Sequence, residues 1–256
     1  MPVLDYAELA ARLECDFISL NFGGAANRLD PHRPECLRDD PALRHRLTRK
    51  VRELGLEIRL VEGFAIAPGL SVDAYAADLE AAAEMGASVI CAVSLDKDLA
   101  RTFDQFRRLA EASAQYGLTV TTEVGAGVIR SLDLARAALA GVAHENFGLL
   151  LDTMHFFRCG ATIEDLASIP AGALGHVQLC DVPMPAQGSS YLEEALFERC
   201  GLGEGDLPLR RLVDTLSEPV SLGLEIPIRS QHAHGLSAFE RLGPSVRLAR
   251  AWLADR

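Results

Sequence analysis

The chain has 256 residues, of which 49% are hydrophobic, and a formal net charge of −11. This length suits one large α/β domain with an ample core, and we predict a single domain over residues 1–256. The acidic balance and the lack of a lysine- or arginine-rich run argue against a nucleic-acid partner. No apolar stretch approaches the length of a membrane span, so no membrane partner is expected either.

The six cysteines favour a reducing compartment. None of them forms a C-x-x-C pair, and Cys91 and Cys180 fall inside apolar, strand-like runs. The N-terminal residues are acidic and helical in pattern, unlike a signal peptide. These features predict free thiols and a cytoplasmic location.

Apolar, strand-like runs alternate with amphipathic, helix-like runs along the chain. Strands are predicted at 16–22, 56–63, 88–94, 118–124, 147–152, 173–181 and 220–226. Helices are predicted at 4–14, 41–54, 71–86, 99–116, near 131–140, near 162–168, at 207–216 and at 238–253. The Val/Ile/Leu-rich strands fit a parallel sheet buried on both faces, and the repeating order predicts a (β/α)₈ TIM barrel.

The start of this barrel is unusual. Only seven strands are found, and the first helix leaves room for another strand only in Met1–Val3. We therefore predict that the first strand is short or missing, with a flank that a homo-oligomer would use as a contact surface. The longest irregular stretches, 22–40 and 182–206, each follow a strand, and the second is a candidate lid.

Four predicted strands carry an oxygen-bearing side chain at or near their ends. Because side chains alternate along a strand, period-two counting aims all four into the barrel. They are Glu123, Asp152, Gln178 and Glu225. Three inward carboxylates would be costly in an apolar barrel, and a bound divalent cation would offset that cost.

Three further residues are candidates for substrate contacts. His155 follows the strand-end Asp152 by three residues and is expected in the βα loop, where it could reach a ligand of the metal. Arg199, in the segment ERCGLGEG, is a candidate for binding an anionic substrate group. His176 shares a strand face with Gln178, although a hydrogen-bonded core histidine is the slightly favoured interpretation.

Several of these segments resemble the xylose-isomerase-like TIM-barrel superfamily of sugar isomerases, epimerases and dehydratases. The matching pieces are Glu123, LLLDTMH (149–155), GHVQLCD (175–181), GLGEGDLPL (201–209) and LGLEIP (222–227). The resemblance implies that Glu123, Asp152, Gln178 and Glu225 bind one divalent cation, Mn²⁺, Mg²⁺, Co²⁺ or Zn²⁺, and that His155 contacts the substrate.

The chain departs from this pattern at two residues. Gln178 replaces the second histidine of an H-x-H strand, and its neutral oxygen favours Mg²⁺ or Mn²⁺ over Zn²⁺. A glutamine here resembles the 3-dehydroshikimate dehydratase branch. Cys180 stands where a lysine is often found.

The leading hypothesis is a divalent-metal-dependent isomerase or epimerase of a ketose, cyclitol or sugar phosphate. One of Glu123 and Glu225 would remove a proton next to a carbonyl and the other would return one, through a metal-stabilised enediolate. The alternative is a dehydratase of the 3-dehydroshikimate or inosose type, with His155 as the acid. A non-catalytic sugar-binding barrel is a hypothesis of a different class.

Overall fold

The computed structural model describes residues 1–22, 36–187, 190–216 and 220–255. Most of the predicted irregular stretch 22–40 lies outside these residues. The chain divides into two compact units, Met1–Leu150 and Leu151–Arg256. The prediction of a single domain over 1–256 stays a prediction.

Seven parallel strands occur in the described residues, and their order in the sheet follows their order in the chain. The strands are β1 (Phe17–Asn21), β2 (Glu57–Ile66), β3 (Val89–Ser94), β4 (Thr119–Glu123), β5 (Phe147–Asp152), β6 (Leu174–Leu179) and β7 (Leu222–Leu224). Parallel strands alternating with helices confirm the predicted α/β fold of the TIM-barrel type. Met1 and Pro2 form no strand, because helix α1 already begins at Val3.

The described part of the first unit holds five α-helices, which are α1 (Val3–Arg12), α2 (Pro41–Glu53), α3 (Ala76–Glu84), α4 (Leu99–Ala114) and α5 (Leu132–Val142). The carboxylate of Asp40 accepts a hydrogen bond from the Leu43 amide and caps α2, and Asp98 caps α4 in the same way. Such caps satisfy amides that the helix itself cannot bond. A buried cluster is formed by residues of β2, β3 and β5, namely Leu60, Val89, Cys91 and Leu150.

Among its described residues, the second unit holds α6 (Thr153–Arg158), α7 (Tyr191–Phe197), α8 (Leu209–Thr215), α9 (Arg229–Ala233) and α10 (Ala238–Ala254). Strand β6 pairs with β7, and Gln178 lies opposite Gly223. Helices α6, α7 and α9 were not predicted from the sequence. The predicted helix near 162–168 is a 3-10 helix, Glu164–Ser168.

A close approach at Gly127 fixes the loop after β4. Gly127 has a φ of +57°, and a Cβ at this position would lie 2.2 Å from the Ser94 carbonyl oxygen and 2.7 Å from Val93 Cγ1. The neighbouring Val128 amide donates to the same Ser94 oxygen at 2.9 Å. Glycine is required here both by the backbone conformation and by the contact.

We therefore expect Gly127→Ala to lower the free energy of unfolding by about 3 kcal/mol, through left-handed strain and a clash with rigid backbone. Gly117→Ala is the matched control, because Gly117 has a φ of +70° and no heavy atom within 4 Å of the added Cβ. Only the strain remains there, about 1 kcal/mol. Denaturant unfolding measures both, and equal losses would contradict the close approach.

Candidate functional site

Strands β4 and β5 both end on a carboxylate. Glu123 is the last residue of β4, in the first unit, and is half-buried. In the pairing with β5 it lies opposite Leu150. Asp152 ends β5 two residues further along. The two strand ends thus carry the first two residues of the predicted ligand set.

Asp152 organises the start of the second unit. Its side chain is fully buried, and Oδ1 accepts a hydrogen bond of 3.0 Å from the His155 amide. This bond makes Asp152 the N-cap of α6. The prediction that His155 lies in a loop is therefore wrong: His155 lies in the first turn of α6, because the Asp152 carboxylate starts a helix immediately after the strand.

His155 is buried, with only 9% of its surface exposed. Burial lowers the pKa of its imidazole, because desolvation outweighs the opposing effect of the Asp152 charge. The ring contacts Tyr191 of α7 through Nδ1 and the phenol oxygen. A neutral imidazole at this point can donate or accept a hydrogen bond without carrying a charge.

Arg199 joins two of the predicted metal ligands. Its Nη1 donates to Asp152 Oδ2 at 2.5 Å and lies 3.0 Å from Glu225 Oε2. Its Nε donates to the Ala195 carbonyl at 2.9 Å. Burial by itself lowers the pKa of this guanidinium, but the charges of Asp152 and Glu225 raise it well above its ordinary value. Arg199 is therefore a permanent cation.

Glu225 follows directly after β7. Its amide donates to the Leu179 carbonyl at 3.1 Å and so extends the pairing of β7 with β6. Its side chain is 40% exposed, in contrast to the fully buried Asp152. Glu225 thus combines a fixed backbone with a carboxylate that solvent can reach.

Strand β6 presents His176 and Gln178, both buried. A Cβ on Gly223 of β7 would lie 2.8 Å from His176 Nε2, so the glycine makes room for the imidazole. The Gln178 side chain offers a neutral amide oxygen, as expected from the sequence. These two residues lie on the strand next to Glu225.

Cys180 is a buried and unreactive thiol. Burial, together with the nearby Asp152 charge, raises the pKa of its thiol to about 12. The thiol is therefore protonated at neutral pH and is a weak metal ligand. Its backbone is held by Thr153, whose hydroxyl bonds both the Cys180 amide and its carbonyl.

Asp181 anchors the glycine-rich segment that follows Arg199, and sequence reasoning missed this role. Its two carboxylate oxygens accept hydrogen bonds from the amides of Val182, Gly203 and Leu207. Asp181 and Cys200 also exchange backbone hydrogen bonds of 3.1 and 2.8 Å. The fold thereby fixes the residue next to Arg199.

Helix α7 lies within the segment that was predicted as a lid. Arg158 of α6 forms two hydrogen bonds with Glu194 of α7, at 2.7 and 3.0 Å, and both side chains are about nine-tenths buried. The pattern of Ser190 followed by Glu193 is a typical helix start and could have revealed α7 from the sequence. Arg158 therefore attaches α7 to α6.

The structure connects four of the predicted site residues directly. Asp152, His155, Arg199 and Glu225 form one network in the second unit, next to His176 and Gln178 on β6. Glu123 lies in the first unit. Asp152 Oδ1 accepts a hydrogen bond from the His155 amide and Oδ2 accepts one from Arg199, and each oxygen has a second lone pair. Carboxylate oxygens are the ligand type that a hard divalent cation prefers.

A family profile described as "Xylose isomerase-like TIM barrel" matches residues 7–242, and the chain belongs to this family. Comparison with curated proteins gives no match. Among solved structures, the IolI protein with a bound zinc atom is 17% identical with a TM-score of 0.72, and the match covers 98% of this chain and 92% of IolI.

Two further structures have the same TM-score of 0.72. The probable 3-DHS dehydratase AsbF of Bacillus anthracis, involved in petrobactin synthesis, is 16% identical, with 96% of this chain and 92% of AsbF covered. D-psicose 3-epimerase, solved in the presence of D-fructose, is 15% identical, with 98% and 92% covered. In a fusion of a xylose isomerase-like barrel with 4-hydroxyphenylpyruvate dioxygenase, this chain spans 39% of the length. These identities establish the fold alone.

Arg199→Met would leave Asp152 as an uncompensated buried charge, and we expect a loss of about 3 kcal/mol of unfolding free energy in EDTA. Arg229→Met is the control, because Arg229 and its partner Glu193 are both exposed and the expected loss is about 1 kcal/mol. Denaturant unfolding at neutral pH measures both. A loss for Arg199→Met no larger than the control would contradict the buried pair.

Proposed function

We propose that the protein is a divalent-metal-dependent isomerase or epimerase of a small polar substrate, a sugar, sugar phosphate, cyclitol or hydroxy-ketone. The observation that carries this proposal is the network that joins Asp152, Arg199 and Glu225 and ends on a solvent-accessible glutamate. This network holds the buried Asp152 carboxylate in place and leaves the Glu225 carboxylate accessible to a substrate. The proposed setting is cytoplasmic.

In this proposal Glu123, Asp152, Gln178 and Glu225 hold the cation. The four residues offer oxygen atoms only, three of them on carboxylates, which suits Mn²⁺ or Mg²⁺ best, although Co²⁺ and Zn²⁺ also bind such sets. The zinc atom of IolI supports a metal site in this fold. When bound, the cation would polarise the substrate carbonyl and stabilise the enediolate charge.

The two glutamates divide the proton transfer between them. One takes the proton from the carbon next to the carbonyl and the other returns a proton, at the same carbon for epimerisation or at the neighbouring carbon for isomerisation. Solvent reaches the Glu225 carboxylate, which is 40% exposed, and Glu123 is half-buried. A D-psicose 3-epimerase shares this fold, so the fold is compatible with sugar epimerisation.

The remaining candidates contact the substrate. His155, with its lowered pKa, offers a neutral imidazole to a substrate oxygen. Arg199 and His176 are proposed contacts as well. The charge of Arg199 is directed at Asp152 and Glu225, so an anionic substrate group would share this cation with two carboxylates.

A dehydratase is the second candidate, and Gln178 is the observation that favours it. The same proton abstraction would be followed by loss of a β-hydroxyl group, with His155 as the acid. The fold shared with the probable dehydratase AsbF is consistent with this outcome. The product would be a conjugated enone rather than an isomer.

The test is turnover in deuterium oxide with Mn²⁺ over a panel of ketoses, inososes and 3-dehydroshikimate. We expect an isomeric product that carries deuterium on the carbon next to the carbonyl, detected by mass spectrometry and NMR. Glu225→Gln should lower kcat by about 10²- to 10⁴-fold, because proton transfer is lost. Glu80→Gln, an exposed glutamate on α3, is the control and should not change kcat.

Three results would count against the proposal. Isomer formation without deuterium uptake would exclude proton abstraction from that carbon. An absorbing enone product would select the dehydratase. Tight sugar binding without turnover, unaffected by Glu225→Gln, would support a binding protein.

A further inference from the structure

Tyr191 is the first residue of α7, and its hydroxyl meets Nδ1 of His155. The two rings also pack against each other, with centroids 5.5 Å apart and planes inclined by 41°. Tyr191 is 47% exposed, whereas His155 is buried. A tyrosine on the lid segment thus covers one nitrogen of the histidine that is proposed to contact the substrate.

The position of Tyr191 is fixed by the rest of α7. Glu194, three residues later, is held by Arg158 through two hydrogen bonds from the same helix that carries His155. Glu193 pairs with Arg229, and Glu198 accepts hydrogen bonds from the Ser230 amide and hydroxyl. Helix α7 is therefore held by both α6 and α9, and its first residue stays next to the imidazole.

The direction of the hydrogen bond follows from the acidity of the two groups. A phenol is a stronger acid than the N–H of a neutral imidazole, and an imidazole nitrogen is a stronger base than a phenol oxygen. The stronger bond therefore has the Tyr191 O–H donating to Nδ1. In a neutral ring the remaining proton must then be on Nε2.

We propose that Tyr191 is a positioning residue that fixes His155 in the tautomer with its proton on Nε2. In this tautomer His155 presents an N–H donor to a substrate oxygen, as is required to stabilise negative charge that develops there. This role deepens the proposed function and rests on it. Without the tyrosine, the hydrogen bond that keeps Nδ1 unprotonated is lost, so a larger share of the protein would carry the ring proton on Nδ1.

The direct test is NMR of protein labelled with ¹⁵N-histidine, in Mg²⁺ and without substrate, at about pH 8, where an ordinary histidine is neutral. The His155 signals are assigned by their loss in His155→Gln. In the native protein we expect Nε2 to show the shift of a protonated nitrogen and Nδ1 that of an unprotonated one. In Tyr191→Phe the two shifts should move towards an average of the two tautomers.

Tyr116→Phe is the matched control, because Tyr116 is 38% exposed and lies on the turn after α4. It should leave the His155 shifts unchanged. A native His155 with its proton on Nδ1, or shifts that Tyr191→Phe leaves unchanged, would overturn the proposal. Since this readout needs no turnover, it stays decisive even if the deuterium experiment rejects the isomerase.

Kinetics then test the consequence of the tautomer. Tyr191→Phe should lower kcat by about tenfold, as expected for loss of a partner that orients a histidine, with KM changed by less than about twofold. A change confined to KM would show that Tyr191 only contacts substrate, and would contradict a positioning role. An unaltered melting temperature in Tyr191→Phe separates this effect from loss of structure.

Discussion

The buried ion pair between Arg199 and Asp152 is the interaction on which the candidate site depends. Asp152 has no access to water, and a carboxylate in that position is tolerated only with a charged partner or a metal. Arg199 is this charged partner, and it also pairs with Glu225, the residue that follows β7. Arg199 Nη1 thus contacts both carboxylates.

Arg199 lies in the segment between β6 and α8, and contacts on both sides of it hold this segment in place. Asp181 holds the glycine-rich turn after Arg199, and the backbone bridge with Cys200 fixes the neighbouring residue. Before Arg199, helix α7 is attached to α6 through Arg158 and Glu194. The same segment therefore fixes both a cation under the carboxylates and a tyrosine beside His155. Helix α7 and Arg199 belong to the same segment, so a change in the attachment of α7 should also affect the charged network.

Much of the fold and the strand-end residues could be predicted from sequence, because both follow from local periodicity. Glu123 and Asp152 end their strands as the alternation predicts, and α1 begins where a first strand would have to lie. The environment of Arg199 could not be predicted, since its partner Asp152 is 47 residues away and only the tertiary fold joins them. The helical position of His155 was missed because Asp152 was interpreted only as a metal ligand, although an aspartate after a strand is also a helix cap.

The central claim is that these carboxylates hold one divalent cation, and calorimetric titration with Mn²⁺ tests it most directly. Asp152→Asn is the informative variant, because the asparagine oxygen can keep the cap on the His155 amide while the negative charge and the acceptor for Arg199 are lost. We expect one Mn²⁺ per native chain, affinity weakened by more than about tenfold in Asp152→Asn, and unchanged affinity in Glu80→Gln. A native chain that binds no Mn²⁺, or an Asp152→Asn variant that binds it as tightly, would contradict the account.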